Sequence, residues 1–229
     1  MRVVALAALT VVIAAVAVAP GRGADECRGL MACIPVAGPW VVVPAAGGAS
    51  TAAWQLECPQ RGVVAGLDAR VTEPALGVSF TGRLGSPVNP GITTTTAVLF
   101  TGTYVGRTAK PTSFRPFIGC LRGGGRRTPT AASATPLRPG EPIVTRVKTL
   151  RVRVGQLART THGCRRGERL LGASHAVGLH SGEAPPQAAA SSVRVVLAVR
   201  AGRILVSASR QGLPARVRAE VQVHAECAR

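Results

Sequence analysis

The chain has 229 residues, 46% of them hydrophobic, and carries 28 Lys and Arg against 10 Asp and Glu, a formal charge of +18. With only one Tyr, four Phe and two Trp, it is poorly equipped to stack bases, which argues against nucleic acid as a partner. Carboxylates are so sparse that nothing brings a second acid beside Asp68 or Glu168 for paired acid–base work.

Met1-Arg2 opens the chain and a 17-residue uncharged run extends from Val3 to Ala19, ending at Pro20-Gly21 with small residues at Gly21, Gly23 and Ala24. This pattern predicts a secretory signal peptide over 1–24, cleaved so that the mature chain begins between Arg22 and Asp25. The run is also close to the lower limit for a spanning helix, so an uncleaved N-terminal anchor is the alternative. No lipid-attachment box precedes Cys27 and no later apolar stretch serves as an anchor, so the expected location is secreted or on the outer surface, with no transmembrane segment in the mature chain. All six cysteines (Cys27, Cys33, Cys58, Cys120, Cys164 and Cys227) lie beyond this segment, and an even number in an exported chain reads as three disulfides.

Period-two alternation dominates the rest of the chain. Strands are expected at Trp54 to Cys58, Val63 to Val71, Gly77 to Leu84, Ile92 to Val105 and Ser113 to Cys120, and then at Arg146 to Val154 and Leu170 to Leu179. Val193 to Arg200 and Arg203 to Ser209 read as a hairpin closed by Ala201-Gly202. In Arg216 to Cys227 the odd positions are apolar or small and the even ones polar, which predicts a half-buried strand with Cys227 inside and His224 facing solvent beside Glu220 and Gln222. Pro87 to Gly91 and Arg138 to Pro142 carry loop signals, and Ser181 to Ser192 reads as a long loop. No stretch after the signal sustains a helical period. The expectation is an all-β protein of two related, disulfide-closed antiparallel β-sandwich-like units, 25–121 and 143–229, joined by a Gly/Pro/Arg-rich linker at 122–142.

The two units read as copies. Cys58 to Cys120 spans 62 positions and Cys164 to Cys227 spans 63, with Gly at plus eight and Val at plus thirteen after each opening cysteine (Gly66 and Val71, Gly172 and Val177). Offsets seven and nine hold Ala65 and Leu67 in one, Leu171 and Ala173 in the other, all placed on the inward phase. Of the fifteen connectivities open to six cysteines, duplication singles out Cys58–Cys120, Cys164–Cys227 and Cys27–Cys33.

The residues Cys58-Pro59 with Val63-Val64-Ala65-Gly66, and Cys227-Ala228 at the end, resemble a pattern in uncharacterised secreted proteins of G+C-rich bacteria, where a Cys-Pro opening leads to Val-Val-Gly-Gly and a later strand ends Cys-Ala. Arg165 after Cys164 and Leu121 after Cys120 depart from it, and the resemblance implies no activity.

Few residues suggest chemistry. His162, His175, His180 and His224 have neither the spacing nor the strand parity of a ligand set, so no metal or other cofactor is expected, and His175 falls on the inward phase. Gly172-Ala173-Ser174-His175 lacks the second glycine of a nucleophile elbow, and Gly123 to Gly125 has no helix behind it to cradle a phosphate; no catalytic residue is assigned. The arginines remain. Arg146-Val147-Lys148 and Arg151-Val152-Arg153 alternate charge with apolar residues on either side of a frame slip at Leu150 that suggests a bulge, placing Arg146, Lys148, Arg151 and Arg153 on one anionic-ligand face flanked by Arg159, Arg165, Arg166 and Arg169. The competing reading is a solvated outer face whose charge, 26 Arg to 2 Lys, reflects G+C-rich coding. The functional expectation is a non-enzymatic extracellular structural or binding module for anionic cell-envelope polymer; an extracellular hydrolase of unrecognised type is the alternative.

Overall fold

A computed structural model describes residues 25–28, 30, 32–45, 50–82, 95–106, 111–122, 143–214 and 216–228. The expected signal peptide, the loop at Pro87 to Gly91 and all but the first residue of the 122–142 linker lie outside them. In chain order the strands are β1 (Ile34–Ala37), β2 (Trp40–Val43), β3 (Ser50–Glu57), β4 (Val63–Val71), β5 (Leu76–Gly82), β6 (Ala97–Tyr104), β7 (Thr112–Leu121), β8 (Val144–Val152), β9 (Ala158–Gly163), β10 (Arg169–His180), β11 (Val193–Arg200), β12 (Arg203–Arg210) and β13 (Arg218–Ala228). One turn of helix, α1 (Gln187–Ala190), interrupts the Ser181 to Ser192 loop. The alternation of the sequence does not reveal β1, β2 or β9. Gly38-Pro39 splits the first two into four-residue pieces, and Ala158-Arg159-Thr160-Thr161-His162-Gly163 is too polar to show an apolar period.

The chain is all-β, with every named strand pair antiparallel. A seven-stranded sheet takes its strands from both halves. β7 pairs β4 on one side and β1 and β2 on the other, and the order then continues β2-β10-β13-β8. Two three-stranded sheets, β3-β6-β5 and β11-β12-β9, pack against it. Alternate side chains of a strand face opposite ways. Val41, Val43 and Ala176 belong to one buried cluster, with Trp54, Phe100, Phe114 and Ile118, while Val42 and Leu179 belong to the other, with Ile204, Val206, Val221 and Val223. The small sheets therefore cover opposite faces of the large one, and the halves share a sheet while burying two cores.

Pairing is matched between the halves in detail. Val64 lies opposite Cys120 and Leu170 opposite Cys227, each followed by a one-residue register shift before Gly66 and Gly172. These bulges correct the phase inferred from the sequence, because a bulge turns the following side chains over. Leu170 packs against the second core, whereas Leu171, expected inside, is exposed. The bulge expected at Leu150 is absent: β8 pairs β13 in constant register from Val144↔Cys227 to Val152↔Ala219.

The bridges are Cys27–Cys33, Cys58–Cys120 and Cys164–Cys227, the pairing that the cysteine spacing singles out. The Ala201-Gly202 turn has positive φ at both residues, 47° and 70°, as a two-residue hairpin between twisted strands requires.

Where the halves meet, a Cβ on Gly178 of β10 would stand 2.6 Å from Trp54 Cη2 and 2.5 Å from Pro39 Cγ, so only glycine lets the indole close over the shared sheet. Gly178→Val is therefore expected to overpack this junction and cost about 1–3 kcal/mol of stability, readable as a lower urea midpoint.

Candidate anionic-ligand face

The four residues expected on one basic face do not share one. In constant register, Arg146 and Lys148 fall on the side of Leu150 and Val152, and Arg151 on the other. Arg146 is committed to Glu168, its Nε donating to Oε2 at 2.6 Å and its Nη2 to Oε1, with side chains only 15% and 5% exposed. That guanidinium, and then the Arg165 backbone N–H at 2.9 Å, hold the Glu168 carboxyl down at about 2. Lys148 Nζ donates to the Thr161 carbonyl at 3.0 Å, Arg151 Nε lies 3.4 Å from Glu220 Oε1, and Arg153 sits beyond the strand end. An alternation of charge on either side of a slip reads as one face only if the backbone bulges, and here the register is constant, so Arg146 and Arg151 point to opposite sides.

A different group of arginines does converge. On β11 the positions alternating with the buried side are Arg194, Val196, Ala198 and Arg200; on β12 they are Arg203, Leu205, Ser207 and Ser209; on β9 they are Arg159 and Thr161. Register sets them in rows: Arg200 opposite Arg203; Ala198, Leu205 and Thr161; Val196, Ser207 and Arg159; and Arg194 opposite Ser209. Arginines thus stand toward the corners and aliphatic side chains in the middle, over a face about 20 Å long and 10 Å wide from strand spacings. A shallow depression of about 450 Å³ is lined by Arg159, Thr161, Val196, Ala198, Leu205 and Ser207.

No acidic residue occurs between Glu141 and Glu168 or between Glu183 and Glu220, so none lies on these three strands. Arg159, Arg194, Arg200 and Arg203 make no ion pair among the described residues. Like charges directly opposite on neighbouring strands are destabilising, and Arg200 and Arg203 stand so. The corresponding face of β3-β6-β5 presents Thr51, Ala53, Gln55 and Glu57, Leu99, Thr101 and Thr103, and Gly77, Ser79 and Thr81, without one arginine. Arg159 is among the flanking residues expected from the sequence; Arg194, Arg200 and Arg203 are not, although their shared parity is legible in Val193 to Arg200 and Arg203 to Ser209.

Among the described residues the histidines do not converge on a ligand set. His162 Nε2 is 2.9 Å from the Arg146 carbonyl oxygen, His180 Nε2 3.1 Å from Glu220 Oε2, and His175 lines a cleft. His224 does not face solvent: it is 3% exposed, with Gln222 at 4%, because β3 of the other half lies over that side of β13. Gln222 clamps β3 there, accepting from Gln55 N at 2.6 Å and donating to Gln55 O at 3.0 Å, while His224 Nε2 donates to Gln222 Oε1 at 2.9 Å. Burial first, then His162 and His175, push the His224 imidazole down to about 4.

Cys164, Cys227 and Glu168 bring their ligand atoms together, but both sulfurs are spent in a disulfide and offer no thiolate to a metal. The cleft of about 530 Å³ beside β2, β10 and β11 holds His175, Gln187, Ser191 and Arg194 among valines and alanines, with no carboxylate among its described lining. No protein-family model, curated protein or solved structure matches the chain.

Proposed function

We propose that the chain is a secreted, non-enzymatic binding module, derived by duplication of one β unit, that holds an anionic component of the cell envelope on the outer face of β9, β12 and β11. The observation that carries this reading is the set of four arginines, Arg159, Arg194, Arg200 and Arg203, gathered on one sheet face whose three strands carry no acidic residue, two of them directly opposed. A solvated face gains nothing from such a cluster; an anionic ligand relieves its repulsion through charge-assisted hydrogen bonds to planar guanidinium forks. Duplication is supported by the matched bulges and bridges, and the arginine-free counterpart face supports specialisation of the second copy. The signal-like N-terminus and three disulfides support an extracellular setting. A hydrolase is less well supported, since the cleft around His175 presents no carboxylate to orient a base.

Retention of the full secreted chain on purified anionic envelope polymer, measured at rising salt, tests the proposal. Binding should weaken steeply as salt screens the face, and the variant combining Arg159→Gln, Arg194→Gln, Arg200→Gln and Arg203→Gln should lose retention while its circular dichroism stays that of the parent. A folded variant that binds as well as the parent overturns the reading.

A further inference from the structure

We infer that the anionic partner of this face is the headgroup layer of a lipid bilayer, an inference that rests on the binding reading above and adds the apolar half of the same surface to it. A soluble polyanion uses arginine forks and gains nothing from aliphatic side chains set between them. Yet the centre of this face is aliphatic: Val196 is 52% and Leu205 38% exposed, with Ala198 opposite Leu205 and next to Val196 along β11. The polar positions among them, Thr161, Ser207 and Ser209, are short, and on the outward side of β12 only Arg203, in the end row, is longer than Leu205. Aliphatic side chains at the centre and long cationic ones toward the ends form the pattern that lies flat in an interface: the apolar part enters the boundary between headgroups and acyl chains, and the arginine stems reach out to phosphates. The inner side of the same strands is occupied by the second core, through Val193, Ile204, Val206 and Ala208, so this amphiphilic side can only look outward.

Position in the fold agrees. The sheet β11-β12-β9 covers one side of the seven-stranded sheet while β3-β6-β5 covers the other, so docking through β9, β12 and β11 meets no obstruction from the second small sheet. The counterpart side of β3-β6-β5, rich in Thr and Ser, has neither arginines nor a valine and leucine pair at its centre.

The test compares co-sedimentation of the full disulfide-bonded chain with vesicles of phosphatidylglycerol and phosphatidylcholine, with vesicles of phosphatidylcholine alone, and its retention on immobilised polyphosphate. Binding to the phosphatidylglycerol vesicles alone of the two is expected. The four-arginine variant should bind them more than about a hundredfold less well, each cation contributing separately near an anionic surface. Val196→Ser with Leu205→Ser should lower vesicle binding about tenfold, through lost apolar burial, and leave polyphosphate retention unchanged. If that double variant binds vesicles as the parent does, or if the parent is retained by polyphosphate but ignores the vesicles, the face reads charge alone: the bilayer inference falls and the binding reading stands. If the folded four-arginine variant matches the parent on both, or the parent binds neither, both fall.

Discussion

Replacing Cys58 and Cys120 together by alanine is expected to lower the free energy of unfolding by about 4 kcal/mol. The bridge closes a loop of 62 residues, and the chain-entropy penalty it imposes on the unfolded state grows with the logarithm of that length. Both sulfurs are buried, so the double replacement also leaves a small void against Val64 and Ile118, which adds to the loss. Removing Cys164 and Cys227, whose separation is 63, should cost a similar amount. Removing Cys27 and Cys33, only six apart, should cost about 2 kcal/mol on the same relation. Urea unfolding of the three double variants checks the order. Should the short N-terminal bridge prove worth more than either long one, loop length is not what sets their contribution.

Acid is expected to weaken the fold in two separate windows. His224 is buried and neutral, with a folded value near 4 against an ordinary 6.5. Between those values the unfolded chain takes up a proton that the folded one refuses. The stabilisation is thus complete above pH 6.5 and is lost progressively as pH falls toward 4, a total of about 3 kcal/mol for a shift of this size. Glu168, held at about 2 by Arg146, also stabilises the folded state when ionised, and that contribution is lost progressively as pH falls from 4.5 to about 2. Urea unfolding across pH 7 to 4 should therefore show stability falling well before the carboxylates titrate. In His224→Gln, whose amide keeps a donor for Gln222 Oε1, the slope between 6.5 and 4.5 should flatten. A variant that keeps the parental slope places the titration elsewhere, with His175, which burial also pushes down, the next group to examine. Protonating His224 puts a charge in the buried junction between the halves, which should make that junction the first region to open, and hydrogen exchange at the Gln55 amide reads this directly.

Local order is legible where it rests on nearest neighbours. Alternation in Val193 to Arg200 and Arg203 to Ser209 locates β11 and β12, Ala201-Gly202 supplies their turn, and the like spacing of Cys58–Cys120 and Cys164–Cys227 points to the bridges. Each follows from the two-residue period of a strand, the φ > 0 demanded by a tight turn, or the need of an exported chain to pair its thiols. The short strands β1, β2 and β9 escape because four to six residues broken by Gly38-Pro39, or made mostly of Thr, Arg and His, carry too little periodicity.

What touches the polar residues depends on distant parts of the chain. A period of two says that the two sides of β13 differ, and local pattern gives Gln222 and His224 to water; β3 from a segment some 170 positions earlier covers them instead. Likewise the charge pattern of Arg146 to Arg153 is the same whether or not the backbone bulges, and only the register against β13 separates Arg146 from Arg151 and hands the former to Glu168. The candidate face depends on non-local pairing too: Arg159 stands some 35 residues from Arg194, and no local rule brings β9 to β12. Residue order alone dictates where most of the strands form, which side of most of them is apolar and how the cysteines pair. Which apolar or polar side meets another strand is set by long-range packing, because burial belongs to the partner surface as much as to the residue.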